Sequence, residues 1–222
     1  MIGGQARIDL SVYLVTDAVQ VASRGRAVAA TVAAAVAGGV TTVQVREKRA
    51  PAAEFLSTVL AVADVLPDGV TLLVNDRIDV FLAARAAGAR VSGVHVGQTD
   101  LSVTVVRELV GGDALIGLSA ATSEELSRAA ADPGRVDYVG IGVLRATSTK
   151  TDTPPPLGIP GFARLAGSSR LPAVAIGGVT VADMAPLRRA GAAGAAIVSG
   201  ICAASDPRMA ARKYADAWTG PA

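Results

Sequence analysis

The sequence of 222 residues has one cysteine and only 3% aromatic residues. Because Cys202 stands alone, an intrachain disulfide is excluded, and the start MIGGQARIDL lacks the charged and apolar segments typical of a secretion signal. We therefore expect a cytoplasmic protein. With so few aromatic side chains, stacking on nucleobases is not expected, and the core must be built from Ala, Val, Leu and Ile.

The chain also lacks a strong excess of charge of one sign and a long apolar run. It has 21 Lys and Arg against 19 Asp and Glu, without the basic block that nucleic acids or anionic membranes require. The longest small and apolar stretch, 27–40, falls short of the roughly 20 strongly apolar residues of a membrane span. The expected partners are small-molecule substrates, not nucleic acid or a membrane; homo-oligomerisation stays open.

What the sequence has instead is a regular alternation of short Val, Ile and Leu runs with Ala-rich segments of helical spacing. A strand followed by a helix about eight times in a chain of this size predicts an α/β fold, a single (βα)8 TIM barrel. The predicted domain spans 1–222, with 1–7 and 219–222 as flexible termini. The predicted strands are Ile8–Val15, Val40–Val45, Val70–Val74, Val94–Val96, Leu115–Leu118, Val136–Val139, Ala173–Ile176 and Ala195–Val198.

A doubly wound open sheet is the rival fold, and the residues after the strands decide against it. Nearly every strand is followed by polar residues, which a barrel would gather on one face, whereas an open sheet would divide them between two edges. The longest connection, 142–160, is rich in proline and small polar residues. Since long loops in compact domains commonly act as lids, we expect it to close over a ligand.

The segment Gln44-Val-Arg-Glu-Lys48 is the first candidate site. At strand spacing, Gln44, Arg46 and Lys48 point to one side, while Val45 and Glu47 point to the other. Two cations at the mouth of a barrel require an anion, and a phosphate or diphosphate fits best. The alternative is a solvated strand end with ordinary charges.

Asp76 and Asp100 follow neighbouring strands, so two carboxylates are expected on adjacent loops of the same face. Mg²⁺ prefers one or two carboxylates together with water and phosphate oxygens, so the sequence predicts a magnesium site. Each aspartate could instead be an ordinary acid at a helix N-terminus. The sole histidine, His95, has no partners at zinc-ligand spacing and is expected to be a packed, hydrogen-bonded strand residue.

Two further segments suit phosphate. Hydroxyls beside an ammonium, as in Thr147-Ser148-Thr149-Lys150, bind phosphate oxygens well. A glycine pair at 177–178 follows the seventh strand, and Ser-Gly at 199–200 follows the eighth. Barrels commonly bind phosphate at these two places through backbone amides. These candidate site residues contain no Ser-His-Asp set. They favour departure of a diphosphate, followed by attack of a second phosphorylated substrate on the carbon that carried it.

The ordered motifs QVREK, NDR, HVGQTD, IGLS, TSTK, AIGG and IVSG resemble those of the thiamine phosphate synthase family over about five sixths of the chain. The resemblance implies a (βα)8 barrel that joins 4-amino-2-methyl-5-(diphosphomethyl)pyrimidine to a thiazole ethyl phosphate or its carboxylate. The products would be thiamine phosphate and diphosphate, with Mg²⁺ as cofactor. The reaction would be dissociative, a transfer of the pyrimidinylmethyl group.

The resemblance also implies roles for single residues. Catalytic roles fall to Arg46, Lys48, Ser119 and Lys150, and metal binding to Asp76 and Asp100. The implied substrate contacts are Gln44, Val45, Arg46, Glu47, Lys48, Asn75, Ser119 and Lys150 for the pyrimidine diphosphate, with Tyr13 against its ring, and Thr147, Ser148, Thr149, Gly178, Val198 and Ser199 for the thiazole phosphate.

The sequence departs from the family pattern in two places. Gly142-Val-Leu-Arg145 replaces the usual Gly-Pro-aromatic, which leaves Arg145 as a phosphate ligand or a solvent-facing residue. Ala121 stands where the family often has histidine, and the related thiazole tautomerases rely on a histidine in that region. The absence of that histidine, with both aspartates retained, favours a synthase over a tautomerase, which stays the nearest alternative. The other alternative is a barrel that binds a thiamine precursor without turnover, and only the altered stretch from Gly142 to Arg145 supports it.

Overall fold

The computed structural model describes residues 8–146 and 155–220 and confirms the barrel. Eight parallel strands close on themselves in sequence order, and β1 pairs with both β2 and β8. The strands are β1 (Val12–Val15), β2 (Thr42–Val45), β3 (Thr71–Asn75), β4 (Gly93–Val96), β5 (Leu115–Ser119), β6 (Tyr138–Gly142), β7 (Ala173–Ile176) and β8 (Gly194–Ile197).

Helices surround the barrel, and their starts follow ordinary capping chemistry. Asp17 and Asp206 each accept a backbone N–H in the first turn of the helix they precede, and Thr122 forms a capping box with Glu125. None of the described helices is long and apolar enough to cross a membrane. The helices are α1 (Ala18–Ala22), α2 (Val28–Ala37), α3 (Ala52–Val65), α4 (Ile78–Ala86), α5 (Val103–Val110), α6 (Ser123–Ala131), α7 (Gly158–Ser168), α8 (Met184–Arg189), α9 (Ser199–Cys202) and α10 (Pro207–Thr219), with a 3₁₀ turn, η1 (Val181–Asp183), before α8.

Strand alternation divides the apolar side chains into two cores. One set, which includes Val43 and Val45, packs between the sheet and the helices. A smaller set, which includes Tyr13, Leu73 and Tyr138, fills the inside of the barrel. Because successive strand residues point to opposite faces, the inward set also decides which side chains reach the mouth.

The predicted bounds of the sixth strand were wrong. The sequence predicted Val136–Val139, whereas β6 runs from Tyr138 to Gly142. Its glycines read as turn residues, but Gly140 and Gly142 pair with β7. A side chain at Gly142 would collide with the backbone of Ile176, so glycine serves close packing inside a strand at this position.

The last helix reaches the first residues of the predicted C-terminal tail. Thr219 is the last residue of α10, and the carbonyl of Gly220 accepts a hydrogen bond from Arg188 at 2.7 Å. Residues 1–7 and 221–222 lie outside the described residues.

Candidate active site

A cavity of about 570 Å³ opens at the carboxyl ends of the strands. Every strand contributes to its wall, because the inward-pointing residues nearest each strand end face the same space. The predicted site residues that line it are Tyr13, Gln44, Arg46, Lys48, Asn75, Asp76, Asp100, Ser119, Gly178, Val198 and Ser199.

Two predicted contacts do not reach the cavity. The side chain of Val45 has no exposed surface and belongs to the core between sheet and helices, so only its backbone faces the neighbouring strands. Glu47 is half-buried and does not line the cavity. Burial and the charge of Asp17 raise the pKa of its carboxyl, and the charge of Arg46 lowers it in part. The reason is that successive side chains along a strand point to opposite faces, so Val45 and Glu47 point away from Gln44, Arg46 and Lys48. Thr147, Ser148, Thr149 and Lys150 lie outside the described residues.

The cationic side of the cavity consists of Arg46 and Lys48. The backbone N–H of Arg46 donates to the buried hydroxyl of Thr16 at 3.0 Å, which holds the end of β2 against the end of β1. Within residues 8–146 and 155–220, neither cation forms a salt bridge. Both charges are therefore available to an anionic ligand.

The acidic side consists of Asp76 and Asp100, which are close enough to interact directly. Burial is the main cause that raises the pKa of the Asp76 carboxyl, and the charge of Asp100 raises it further, while Asn75 and Lys48 lower it. Asp76 has a left-handed backbone conformation, with φ of 58°, which few residues other than glycine, Asn and Asp adopt readily. Backbone conformations of this unusual kind are common at functional sites.

Among the described residues, no group of three or more His, Cys, Asp or Glu side chains is arranged to hold a metal. Two adjacent carboxylates, of which Asp100 raises the pKa of Asp76, still suit a hard cation, since Mg²⁺ takes most of its remaining ligands from water and phosphate. The donor set at Asp76 and Asp100 therefore fits Mg²⁺ and does not fit zinc.

The floor of the cavity is a chain of five hydrogen-bonded side chains. Gln44 Nε2 donates to the Tyr13 hydroxyl at 2.6 Å, and the hydroxyls of Tyr13 and Tyr138 lie 2.8 Å apart. His95 links Tyr138 at 2.9 Å through Nδ1 to Ser119 Oγ at 3.1 Å through Nε2. His95 is thus a hydrogen-bonded strand residue, as the sequence predicts, and it also lines the cavity.

Tyr138 was missed altogether as a site residue. It lies two positions before Gly140 in β6, so the inward alternation that continues to Gly142 would have placed it inside the barrel had the strand been assigned correctly. Burial raises the pKa of both Tyr13 and Tyr138 above the ordinary value, so both remain neutral phenols.

The opposite wall is formed by glycines after β7 and by the start of α9. Gly177 and Gly178 have φ of 93° and 67°, which favours glycine at both. A side chain at Gly177 would meet Val143 at 2.7 Å, and one at Gly178 would meet Arg145 at 2.9 Å. These glycines thus allow the segment that follows β6 to pass close to the end of β7.

Arg145 is exposed, as one of the two roles that the sequence left open for it requires, but its guanidinium is also held by an ion pair. Its guanidinium forms a two-point ion pair with Asp183, with Nη2 at 2.6 Å from Oδ1, and also donates to the carbonyl of Gly178 at 3.3 Å. Asp183 is buried and accepts both the N–H and the hydroxyl of Thr180. The pair therefore fastens the segment after β6 to η1, beside the two glycines.

Arg145→Ala is expected to destabilise the protein by about 2 kcal/mol, less than the loss for a fully buried pair, because 47% of the Arg145 side chain is exposed. Burial raises the pKa of Asp183, but hydrogen bonds from Arg145 and Thr180 outweigh it and leave the pKa below its usual value. This stabilisation is therefore present above the unfolded-state pKa and is lost as the pH falls through the folded-state pKa.

Urea unfolding between pH 3 and 7 tests this prediction. The difference in unfolding free energy between wild type and Arg145→Ala should shrink toward the acid end. The matched control is Arg128→Ala, which breaks an exposed pair with Glu124 and should cost less than about 0.5 kcal/mol at any pH. Equal losses for the two variants would contradict the anchoring role of Arg145.

Comparison with known proteins bears on what this site does. The family model described as thiamine monophosphate synthase matches residues 12–201. This chain belongs to the thiamine monophosphate synthase family. It is 47% identical over 203 residues to the thiamine-phosphate synthase of Albidiferax ferrireducens, covering 91% of this chain and 89% of that protein.

The chain is also 42% identical over 207 residues to the thiamine-phosphate synthase of Chloroflexus aurantiacus. That match covers 93% of this chain and 91% of the Chloroflexus protein. Among solved structures, thiamine phosphate pyrophosphorylase from Pyrococcus furiosus superposes with a TM-score of 0.79 at 27% identity, covering 95% of this chain and 96% of that one. The thiamine monophosphate synthase family thus accounts for the whole barrel, and its relatives are group-transfer enzymes of thiamine biosynthesis.

Proposed function

We propose that this protein is a Mg²⁺-dependent thiamine phosphate synthase, a transferase of the pyrimidinylmethyl group. The observation that carries the proposal is the composition of one cavity, in which two cations that form no salt bridge with any described residue lie with a pair of interacting carboxylates. Such a cavity suits a diphosphate with a bound cation. Family membership supports thiamine-phosphate synthesis as the activity.

In this reaction, the bond between the pyrimidine methylene carbon and the diphosphate oxygen breaks, and a bond from the thiazole nitrogen to that carbon forms. Arg46 and Lys48 would bind the diphosphate and stabilise the negative charge that grows as it leaves. Gln44, Asn75 and Ser119 would hold the pyrimidine at the floor of the cavity. Their positions at strand ends, fixed by the barrel, keep the reacting carbon in place.

Asp76 and Asp100 would hold Mg²⁺, which supplies positive charge to the diphosphate oxygens when bound. The glycines at 177–178 and the start of α9 at Val198 and Ser199 would receive the phosphate of the thiazole substrate, since both offer backbone N–H groups at the opposite wall. Thr147, Ser148, Thr149 and Lys150 stay predicted substrate contacts. We also propose that the enzyme works in the cytoplasm.

An end-point assay tests the proposed function. Purified protein is incubated with Mg²⁺, the pyrimidine diphosphate and the thiazole phosphate, and thiamine phosphate is measured alongside controls that omit each component. Product that requires all three supports the synthase. Absence of product from folded protein that still binds the thiazole phosphate would contradict it and favour a tautomerase or a non-catalytic binding barrel.

A further inference from the structure

The hydrogen-bonded chain at the floor of the cavity has one direction that pairs both buried phenols. An amide NH₂ can only donate, so Gln44 Nε2 donates to the Tyr13 hydroxyl. Either hydroxyl of Tyr13 and Tyr138, 2.8 Å apart, can donate to the other. With Tyr138 as the donor, the Tyr13 hydroxyl would accept twice and its own proton would have no acceptor among the described residues. The direction that avoids this cost has Tyr13 donate to Tyr138, and Tyr138 to His95 Nδ1 at 2.9 Å.

This direction assigns the tautomer of His95. Because Nδ1 accepts from Tyr138, a neutral imidazole carries its proton on Nε2, which donates to Ser119 Oγ at 3.1 Å. Ser119 then accepts from the histidine and keeps its own hydroxyl proton for a different acceptor. Within the described ranges, the Ser119 hydroxyl has no other hydrogen-bond partner, and the residue lines the cavity.

Two glycines beside the hydrogen-bonded chain leave the space that its side chains occupy. A side chain at Gly117 would collide with the Tyr138 ring and its hydroxyl and with His95 Nδ1, and one at Gly140 would lie 3.3 Å from His95 Cε1. Tyr13 and Tyr138 are almost completely buried and their rings meet edge to face, with centroids 6.0 Å apart. The two phenols are thus confined to one arrangement.

We infer that the tyrosine pair Tyr13–Tyr138 is a positioning device that acts through His95 to make Ser119 a hydrogen-bond donor toward the substrate. The acceptor would be an atom of the pyrimidine diphosphate, so this role rests on the proposed function. Neither tyrosine needs to touch the substrate to act in this way. The orientation of the chain is a property of the protein alone and can be measured without any substrate.

The first test is nitrogen NMR of protein labelled with ¹⁵N-histidine. Since His95 is the only histidine of the protein, its two ring nitrogens give the only imidazole signals. We expect a neutral ring at pH 7.5 with the proton on Nε2. A proton on Nδ1, or on both nitrogens, would overturn the proposed direction. This measurement requires no variant and no activity.

The second test removes one hydroxyl. Tyr138→Phe should bring the Nδ1-protonated form of His95 into the spectrum and lower kcat for thiamine phosphate about tenfold, the size of one neutral hydrogen bond. Tyr214→Phe is the matched control, because Tyr214 is a buried tyrosine that is not part of the hydrogen-bonded chain. Its hydroxyl donates to the Val179 carbonyl at 3.3 Å. It should leave the His95 signals and kcat within twofold of wild type.

A double-mutant cycle separates positioning from general loss of structure. If Tyr138 acts through Ser119, adding Tyr138→Phe to Ser119→Ala should lower kcat by less than twofold further. A full additional tenfold loss would overturn the inference. Should Tyr138→Phe fail to fold, Tyr13→Phe takes its place, since it removes the donor to Tyr138. If wild type shows the expected tautomer without making thiamine phosphate, the proposed function fails and the orientation stands.

Discussion

Asp76→Asn is expected to lower kcat/KM for thiamine phosphate formation by about 100-fold to 1000-fold, the cost typical of losing one well-placed electrostatic contact to a leaving group. In the proposed function, the carboxylate holds the cation that balances the diphosphate, and an amide cannot replace its charge. Asn is the right substitution because it tolerates the left-handed backbone at this position, whereas Ala would add strain. Asp100→Asn should have a similar effect.

Stability measurements separate this loss from unfolding. The pKa of Asp76 is raised by burial and by Asp100, so the ionised carboxyl destabilises the metal-free fold once the pH is above that pKa. The melting temperature of metal-free Asp76→Asn at pH 7.5 should therefore equal or exceed that of wild type. Added Mg²⁺ should raise the melting temperature of wild type and not that of the variant.

The control for both experiments is Asp79→Asn, which removes an exposed carboxylate that pairs with Arg77 in the first turn of α4. Its activity and its response to Mg²⁺ should match wild type. If Asp76→Asn and Asp100→Asn both retain near wild-type turnover at limiting Mg²⁺, the metal assignment is wrong.

Lys48→Gln is expected to reduce kcat by about 100-fold to 1000-fold, because in the proposed function the ammonium stabilises charge that appears mainly as the diphosphate leaves. Arg46→Gln should reduce it to a similar extent. Both side chains line the cavity without a salt bridge to any described residue, so no close ion pair among those residues is lost with them. Fold stability should change little.

Steady-state kinetics with each substrate varied in turn checks this expectation. Arg49→Gln is a close control, since Arg49 is the next residue after Lys48, is exposed and does not line the cavity. It should keep kcat within twofold of wild type. A loss for Lys48→Gln that appears only as a higher KM, with kcat unchanged, would mean that the cation serves binding alone.

The sequence by itself was enough to predict the barrel and most of its mouth. A strand–helix repeat with polar residues after each strand identifies both, because parallel strands of a closed barrel point their carboxyl ends to one face. The same argument brought Arg46, Lys48, Asp76 and Asp100 together, and the structure places all four at one cavity. For Val45 and Glu47, alternation already indicated the other side.

Other features depended on contacts between residues far apart in the sequence. The partner of Arg145 is Asp183, on a turn after the next strand, and no local pattern indicates that pairing. The link from Tyr13 through Tyr138 and His95 to Ser119 joins four strands. Glycines at 140 and 142 hid the sixth strand, since a glycine that makes room and a glycine that makes a turn look alike in sequence.

The sequence alone therefore determined the fold and the charges at the mouth of the barrel, because periodicity and strand ends are local properties. Which of the described polar groups are paired within the protein, and which face the cavity, follows from the packing of the strands in three dimensions. That distinction depends on hydrogen-bond distances across the barrel, where closure of β8 onto β1 brings side chains from every strand into one space.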